Sequence, residues 1–222
     1  MASLRGAVVA LITGIATALV VVAVAILPFL NPVWVGFEQG RAQAPAWTGF
    51  APDDLAHVTN EILVDLVIGP PEFDVQLDGQ PVLVARERDH MRDVRSVFAG
   101  FFLAAVGGAL VLGASFLVSG ALGERSRAAF WRRLSGHGRM IAIVTVVGGA
   151  LALLFFDAAF EVFHRLFFPA GTYLFDPRTD RLVQLFPEQF WIETTIGVGV
   201  VVVVLSVGLA WLGGRRAARI AR

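Results

Sequence analysis

The chain has 222 residues, 56% of them hydrophobic, with 18 arginines balanced by 18 carboxylates and neither lysine nor cysteine. So apolar a composition excludes an ordinary soluble enzyme. The lack of cysteine excludes disulfide staples and thiolate catalysis. Net charge is zero, but its distribution along the chain is uneven and bears on topology.

A hydrocarbon core of roughly 30 Å takes about 20 apolar residues in a helix. The first predicted span covers 7–30, and its uncharged length exceeds the apolar core of a cleavable signal peptide, so it reads as a retained anchor despite the cleavage-like Ala23-Val24-Ala25. Ala10, Gly14 and Ala18 form a small-xxx-small ridge suited to close helix packing. The first outer loop, 31–95, is long enough for a small cap. In it, Pro52-Asp53-Asp54 opens a helix whose apolar stripe is Leu55, Thr59, Ile62, Leu63 and Leu66, and Gly69-Pro70-Pro71 stops it. Phe73, Val75 and Leu77 then alternate with polar residues up to the turn Asp78-Gly79, with 82–86 as the return strand.

From Glu87 the pattern turns helical and enters the second span, 96–121. A loop at 122–138 follows, then the third span at 139–163. The second outer loop, 164–191, carries two short predicted strands at 172–175 and 181–185. The fourth span is 192–213. Glycines at 107, 108, 113, 148, 149, 197, 199 and 208 are read as helix-packing positions. Trp34, Trp47 and Trp191 fit an aromatic belt at a membrane boundary.

The loop 122–138 with Arg139, the tail and Arg5 together hold ten arginines and the single carboxylate Glu124, whereas 31–95 and 157–193 hold eight arginines against seventeen carboxylates. Positive residues stay inside, which places both termini and 122–138 in the cytoplasm and both outer loops outside a plasma membrane. The expected fold class is an all-α membrane protein: four transmembrane helices with a small α/β extracytoplasmic cap.

Two polar constellations stand at span ends. In 87–93, His90 shares a helix face with Glu87 and Asp93; in 157–164, Asp157, Glu161 and His164 fall on one side. At about 1.5 Å per residue, His164 lies about 36 Å along its helix from Met140 and His90 about 10 Å before Val97, so both reach the outer headgroup layer, where acyl esters sit. Histidine accepts and returns a proton near neutrality, and a neighbouring carboxylate orients the ring. Asp93 and Asp157 are the expected orienting carboxylates, with Glu87 and Glu161 as substitutes or substrate contacts. Arg92 and Arg165 are candidates for an oxyanion or a lipid phosphate. The plain alternative makes each histidine an interfacial anchor paired with its own carboxylate. A zinc site built from His90, His164, Asp93 and Asp157 is a further alternative, although the spacing matches no HExxH-type helix. His57 reads as solvated. No Gly-x-Ser-x-Gly elbow is present and nothing points to nucleic acid.

The residues Glu87, His90-Met91 and Asp93-Val94-Arg95 before a span resemble the Lit family of bacterial integral membrane proteins. So do Phe156-Asp157, Phe160, Phe163-His164, Phe167, Asp176-Pro177, Asp180, Leu182, Leu185-Phe186-Pro187 and Phe190-Trp191. Tyr173 stands where the family pattern has a Trp. The resemblance implies a lipoprotein intramolecular transacylase, which moves the sn-2 acyl chain of a diacylglyceryl group to the amine of the lipoprotein's N-terminal cysteine. It implies that the family's two motif histidines correspond to His90 and His164. The expected partners are then a diacylated lipoprotein and membrane lipid, with no cofactor. The competing expectation is a non-catalytic membrane protein whose cap binds an envelope partner.

Overall fold

The structure is a computed structural model and describes residues 4–221. Four of its helices are long and apolar enough to cross a membrane: Gly6–Phe29, Ala85–Ala121, Glu124–Leu154 and Glu188–Ile220. The architecture is all-α with one two-stranded ribbon, as expected. In chain order the elements are α1 (Leu4–Ile26), α2 (Pro32–Arg41), α3 (Ala44–Thr48), α4 (Pro52–Val67), β1 (Gln76–Leu77), β2 (Gln80–Pro81), α5 (Ala85–Ala121), α6 (Glu124–Leu154), α7 (Phe156–Phe167), α8 (Arg181–Leu185) and α9 (Glu188–Ile220).

The chain divides into two units. The first comprises residues up to Ile26, Gly100–Leu151 and residues from Val198. Its helices meet at small residues: a methyl added to Gly108 would lie 3.1 Å from the Ala16 carbonyl oxygen, and one on Gly138 would lie 2.5 Å from that of Ser206. Gly107, Gly113, Gly148, Gly149, Gly199 and Gly208 face open space instead, so the expectation of close packing there fails; these glycines look outward. The Ser135 hydroxyl donates to the Ala210 carbonyl at 2.7 Å.

The second unit comprises Leu27–Ala99 and Ala152–Gly197. Its core joins Leu55, Val58 and Ile62 of α4 to Phe73, Val75, Val82 and Leu83 of the ribbon region, Met91 of α5 and Leu182 and Leu185 of α8. The α4 stripe is thus buried as its periodicity implied. Gln39, fully buried on α2, accepts from Thr59 at 2.9 Å and donates to the Leu185 carbonyl at 3.1 Å, tying three helices together.

Several local expectations are corrected. The stretch 122–138 is a loop only at its start: Gly123, at φ +91, turns the chain, and α6 is helical from Glu124 onward, with His137 on it. The third span ends at Leu154, where Phe155 leaves helical geometry at φ −128, ψ 47, and α7 is a separate helix. Residues 181–185 form α8 rather than a strand, and 172–175 is turn and irregular chain. The return strand stops at Pro81, since Val84 caps α5. Helices α2 and α3 had no counterpart among the predicted elements. Asn31 caps α2, its side-chain oxygen accepting from Val33 and Trp34 at 3.0 and 3.1 Å, with Pro32 in the first turn.

Candidate active site

The first eleven residues of α5 carry seven charged side chains, so the apolar part of that helix begins only after Arg95. Most of those charges hold the surrounding chain in place. Glu87, with no exposed surface, reaches back to the Val84 N–H at 2.8 Å, the carboxylate half of a capping box. Its other oxygen accepts from the Leu182 N–H at 2.7 Å, so one carboxyl group stitches the start of α5 to the first turn of α8. Arg88 pairs with Asp74 at 2.6 Å. Arg86 pairs with Asp180, whose Oδ2 also accepts from the Asp176 N–H at 2.6 Å. The Arg86 guanidinium lies 5.3 Å from the centre of the Phe175 ring.

This scaffold brings two imidazoles together. The His90 and His164 rings, on α5 and α7, stack with centroids 6.1 Å apart and planes 19° apart. Both side chains are buried, with 6% and 8% of their surfaces exposed. Aromatic rings stand close around them. Phe168 and Phe175 lie 4.8 and 5.4 Å from His90, and Phe160, Tyr173 and Phe168 lie 4.0, 5.0 and 5.3 Å from His164. His164 Nδ1 sits 2.8 Å from the Phe160 carbonyl. A carbonyl can only accept, so Nδ1 carries the proton and Nε2 of the neutral ring keeps its lone pair. His90 Nδ1 is enclosed and has no hydrogen-bond partner among the described residues. Burial, and then the neighbouring His164, push the His90 imidazole down to about 4, so it is neutral at physiological pH.

The family model described as lipoprotein intramolecular transacylase Lit matches residues 10–191. The chain belongs to the Lit family. It is accordingly an acyltransferase and an integral membrane protein. The structure is similar to that of the membrane integral lipoprotein intramolecular transacylase Lit from Bacillus cereus, with a TM-score of 0.75 at 17% identity, covering 96% of this chain and 95% of that one. Structures of the same Bacillus cereus protein with a histidine replaced by arginine or by alanine match with TM-scores of 0.75 at 16% identity, covering 97% and 96% of this chain and 94% and 93% of theirs. At such identity the likeness shows the shared fold. Among curated proteins no relative matches.

In this Lit-family chain the other candidate residues lie differently from the sequence reading. Neither Asp93 nor Asp157 bonds to a histidine. The orienting group of His164 is a carbonyl one helical turn back, which needs no carboxylate. Asp157 is exposed in the first turn of α7, where its charge favours the helix N-terminus. Asp93 is half-buried and makes no hydrogen bond or ion pair among the described residues. Glu87 is committed to backbone amides and cannot meet a substrate. Arg92 donates to the Pro71 and Glu72 carbonyls at 3.1 and 3.2 Å and to Asp89 at 2.5 Å, so it holds the chain ahead of the ribbon rather than an oxyanion. Arg165 and Glu161 form an exposed pair at 2.7 Å. Among the described residues no group of three or more His, Asp or Glu gathers as the zinc alternative would require. The aromatic wall and the Arg86–Asp180 pair were missed, although the spacing of Phe160 and His164 was there to be read as one helix face.

Proposed function

We infer that this chain moves the sn-2 acyl chain of a lipoprotein's diacylglyceryl group onto the α-amine of the lipoprotein's N-terminal cysteine, with His90 and His164 handling the protons. The observation that carries this reading is the stacked pair of imidazoles at 6.1 Å within an aromatic wall, in a chain of a transacylase family. The amine nitrogen attacks the ester carbonyl and an N–C bond forms. His164 Nε2, its lone pair fixed by the Phe160 carbonyl, takes the proton that the amine must lose. The C–O bond to glycerol then breaks, and His164 returns that proton to the departing oxygen. The products are an amide and a glyceryl group with a free 2-hydroxyl; no water or other reactant is consumed.

His90 stays neutral and offers a ring N–H to the tetrahedral oxyanion, a role in which an unpartnered, enclosed nitrogen gains a partner only when substrate is present. A neutral imidazole is the better choice beside His164, because two cations at this spacing would repel. Asp93, without a hydrogen bond or ion pair among the described residues and one turn on from His90, receives the substrate ammonium, which releases one proton to solvent before the neutral amine attacks. Donor and acceptor belong to one molecule, so orientation can supply up to about 7–11 kcal/mol of barrier reduction. That supports a site of aromatic walls, which position acyl and glyceryl groups, over one rich in charge. We place the site at the outer leaflet, with both termini in the cytoplasm, on the arginine distribution. The rival reading, a cap that binds an envelope partner, called for separated rings, and the rings are adjacent.

The test is conversion of a synthetic diacyl lipopeptide to its lyso form by the full-length protein in proteoliposomes. His164→Ala and His90→Ala, each checked for unchanged elution and helix content, are expected to slow turnover by about 10²–10⁴-fold. Wild-type turnover by either variant overturns the assignment.

A further inference from the structure

The first unit contains a feature that acyl transfer at the histidines does not use. Three of its helices contribute to one open cleft of about 230 Å³, lined by Phe116 of α5, Arg127 and Trp131 of α6, and Arg216, Arg219 and Ile220 of α9. Arg127 and Trp131 are four apart, and Arg216 and Arg219 three apart, so each pair projects from a single helix face. Three guanidinium groups from two helices therefore bound one space, and among the described residues no carboxylate lines it. Among the described residues none of the three forms an ion pair. Arg127 lies 5.6 Å from the Phe116 ring centre, and Phe116 packs edge-on to Trp131 at 6.0 Å. The aromatic rings make a floor that orients at least one guanidinium.

Unpaired like charges facing one another are unfavourable unless something anionic joins them. Arginines serving only as topology determinants have no need to converge, and Arg125, Arg132 and Arg133 of the same helix are exposed and do not line the cleft. We propose that the cleft binds the phosphate of an anionic glycerophospholipid head group, on the face that the arginine excess assigns to the cytoplasm. Three details favour a lipid. The donors are arginines, whose planar forks match phosphate oxygens two at a time. The volume is below the roughly 300–1,000 Å³ typical of pockets for whole small molecules, which suits a phosphate and glycerol whose acyl chains lie outside the cleft. Finally, the helices that build it expose large apolar side chains nearby in sequence, Leu117 and Val118 on one and Trp211 and Leu212 on another. Those surfaces suit the acyl chains of the same molecule, as basic pockets between membrane helices suit anionic lipids generally.

The experiment is native mass spectrometry of the full-length protein in detergent, supplied with phosphatidylglycerol or phosphatidylcholine at equal concentration. Wild type is expected to retain phosphatidylglycerol selectively. Arg216→Gln/Arg219→Gln is expected to lower its affinity about thirtyfold, at about fivefold per arginine. Arg125→Gln/Arg132→Gln removes the same charge outside the cleft and is expected to leave retention unchanged. Arg127→Gln, a single change on another helix, is expected to cost about fivefold, and it carries the test should the double variant not fold. Equal losses in cleft and control variants would show diffuse attraction and overturn the proposal. So would full displacement of phosphatidylglycerol by an equal concentration of inorganic phosphate, which would identify a soluble anion as the ligand.

Discussion

The two units spend polarity in opposite ways. In the unit containing α1, hydroxyl side chains turn on the backbone: Thr13 and Thr17 bond to carbonyls one turn back, and Ser135 to Ala210. Even His137 is satisfied by one hydroxyl, Thr13 Oγ1 at 3.1 Å. Helices approach there because side chains are absent. In the unit containing α4, arginines and carboxylates pair across the chain, Arg41 with Glu193 at 2.5 Å and Arg88 with Asp74 at 2.6 Å. Yet among the described residues neither His90 nor His164 pairs with a carboxylate. Charge builds the frame there, and the paired rings stand among aromatic neighbours instead.

The sharpest way to break that contrast is Glu87→Ala. It strands the Val84 and Leu182 N–H groups, at about 1–3 kcal/mol each, so a loss of several kcal/mol is expected in thermal unfolding. Asp157→Ala, by comparison, is expected to cost about 0.3–1 kcal/mol, the value of a charge at a helix N-terminus. Equal effects would mean that the buried clamp does not hold the second unit together.

A smaller effect tests the first unit. Gly138→Ala sets a methyl against backbone atoms of α9 at 2.5 and 2.9 Å, and overpacking of this kind costs about 1–3 kcal/mol. Gly113→Ala meets nothing within 4 Å and is expected to stabilise by up to about 1 kcal/mol through helix propensity. The same measurement separates them, and destabilisation by both would show that outward glycines also pack.

The mildest prediction leaves folding at neutral pH untouched. His90 titrates near 6.5 in the unfolded chain and near 4 in the folded one, so between those values the unfolded state binds more protons. Stability is complete above 6.5 and declines as the pH falls toward 4. Imidazole resonances in ring-labelled protein should show His90 neutral at pH 6. A His90 that protonates near 6.5 would refute its enclosure.

Much of this molecule was decided by short-range pattern. Apolar length marked the four membrane helices, the Leu55–Ile62 periodicity marked the buried face of α4, and the motif residues led to His90 and His164. These signals survive without tertiary structure because helix period and bilayer thickness act on consecutive residues. Partner choice is another matter. Glu87 is bonded by Leu182, 95 positions away, while Asp93, one turn from His90, makes no bond to it. Residues 181–185 lack a strong helix signal of their own, and α8 forms where a distant carboxyl receives its first-turn amide. Spacing shows which groups can share a face, but a hydrogen bond goes to whichever donor or acceptor the packed chain presents. Only the folded chain decided that a carbonyl orients His164 and that Phe175 lies against His90.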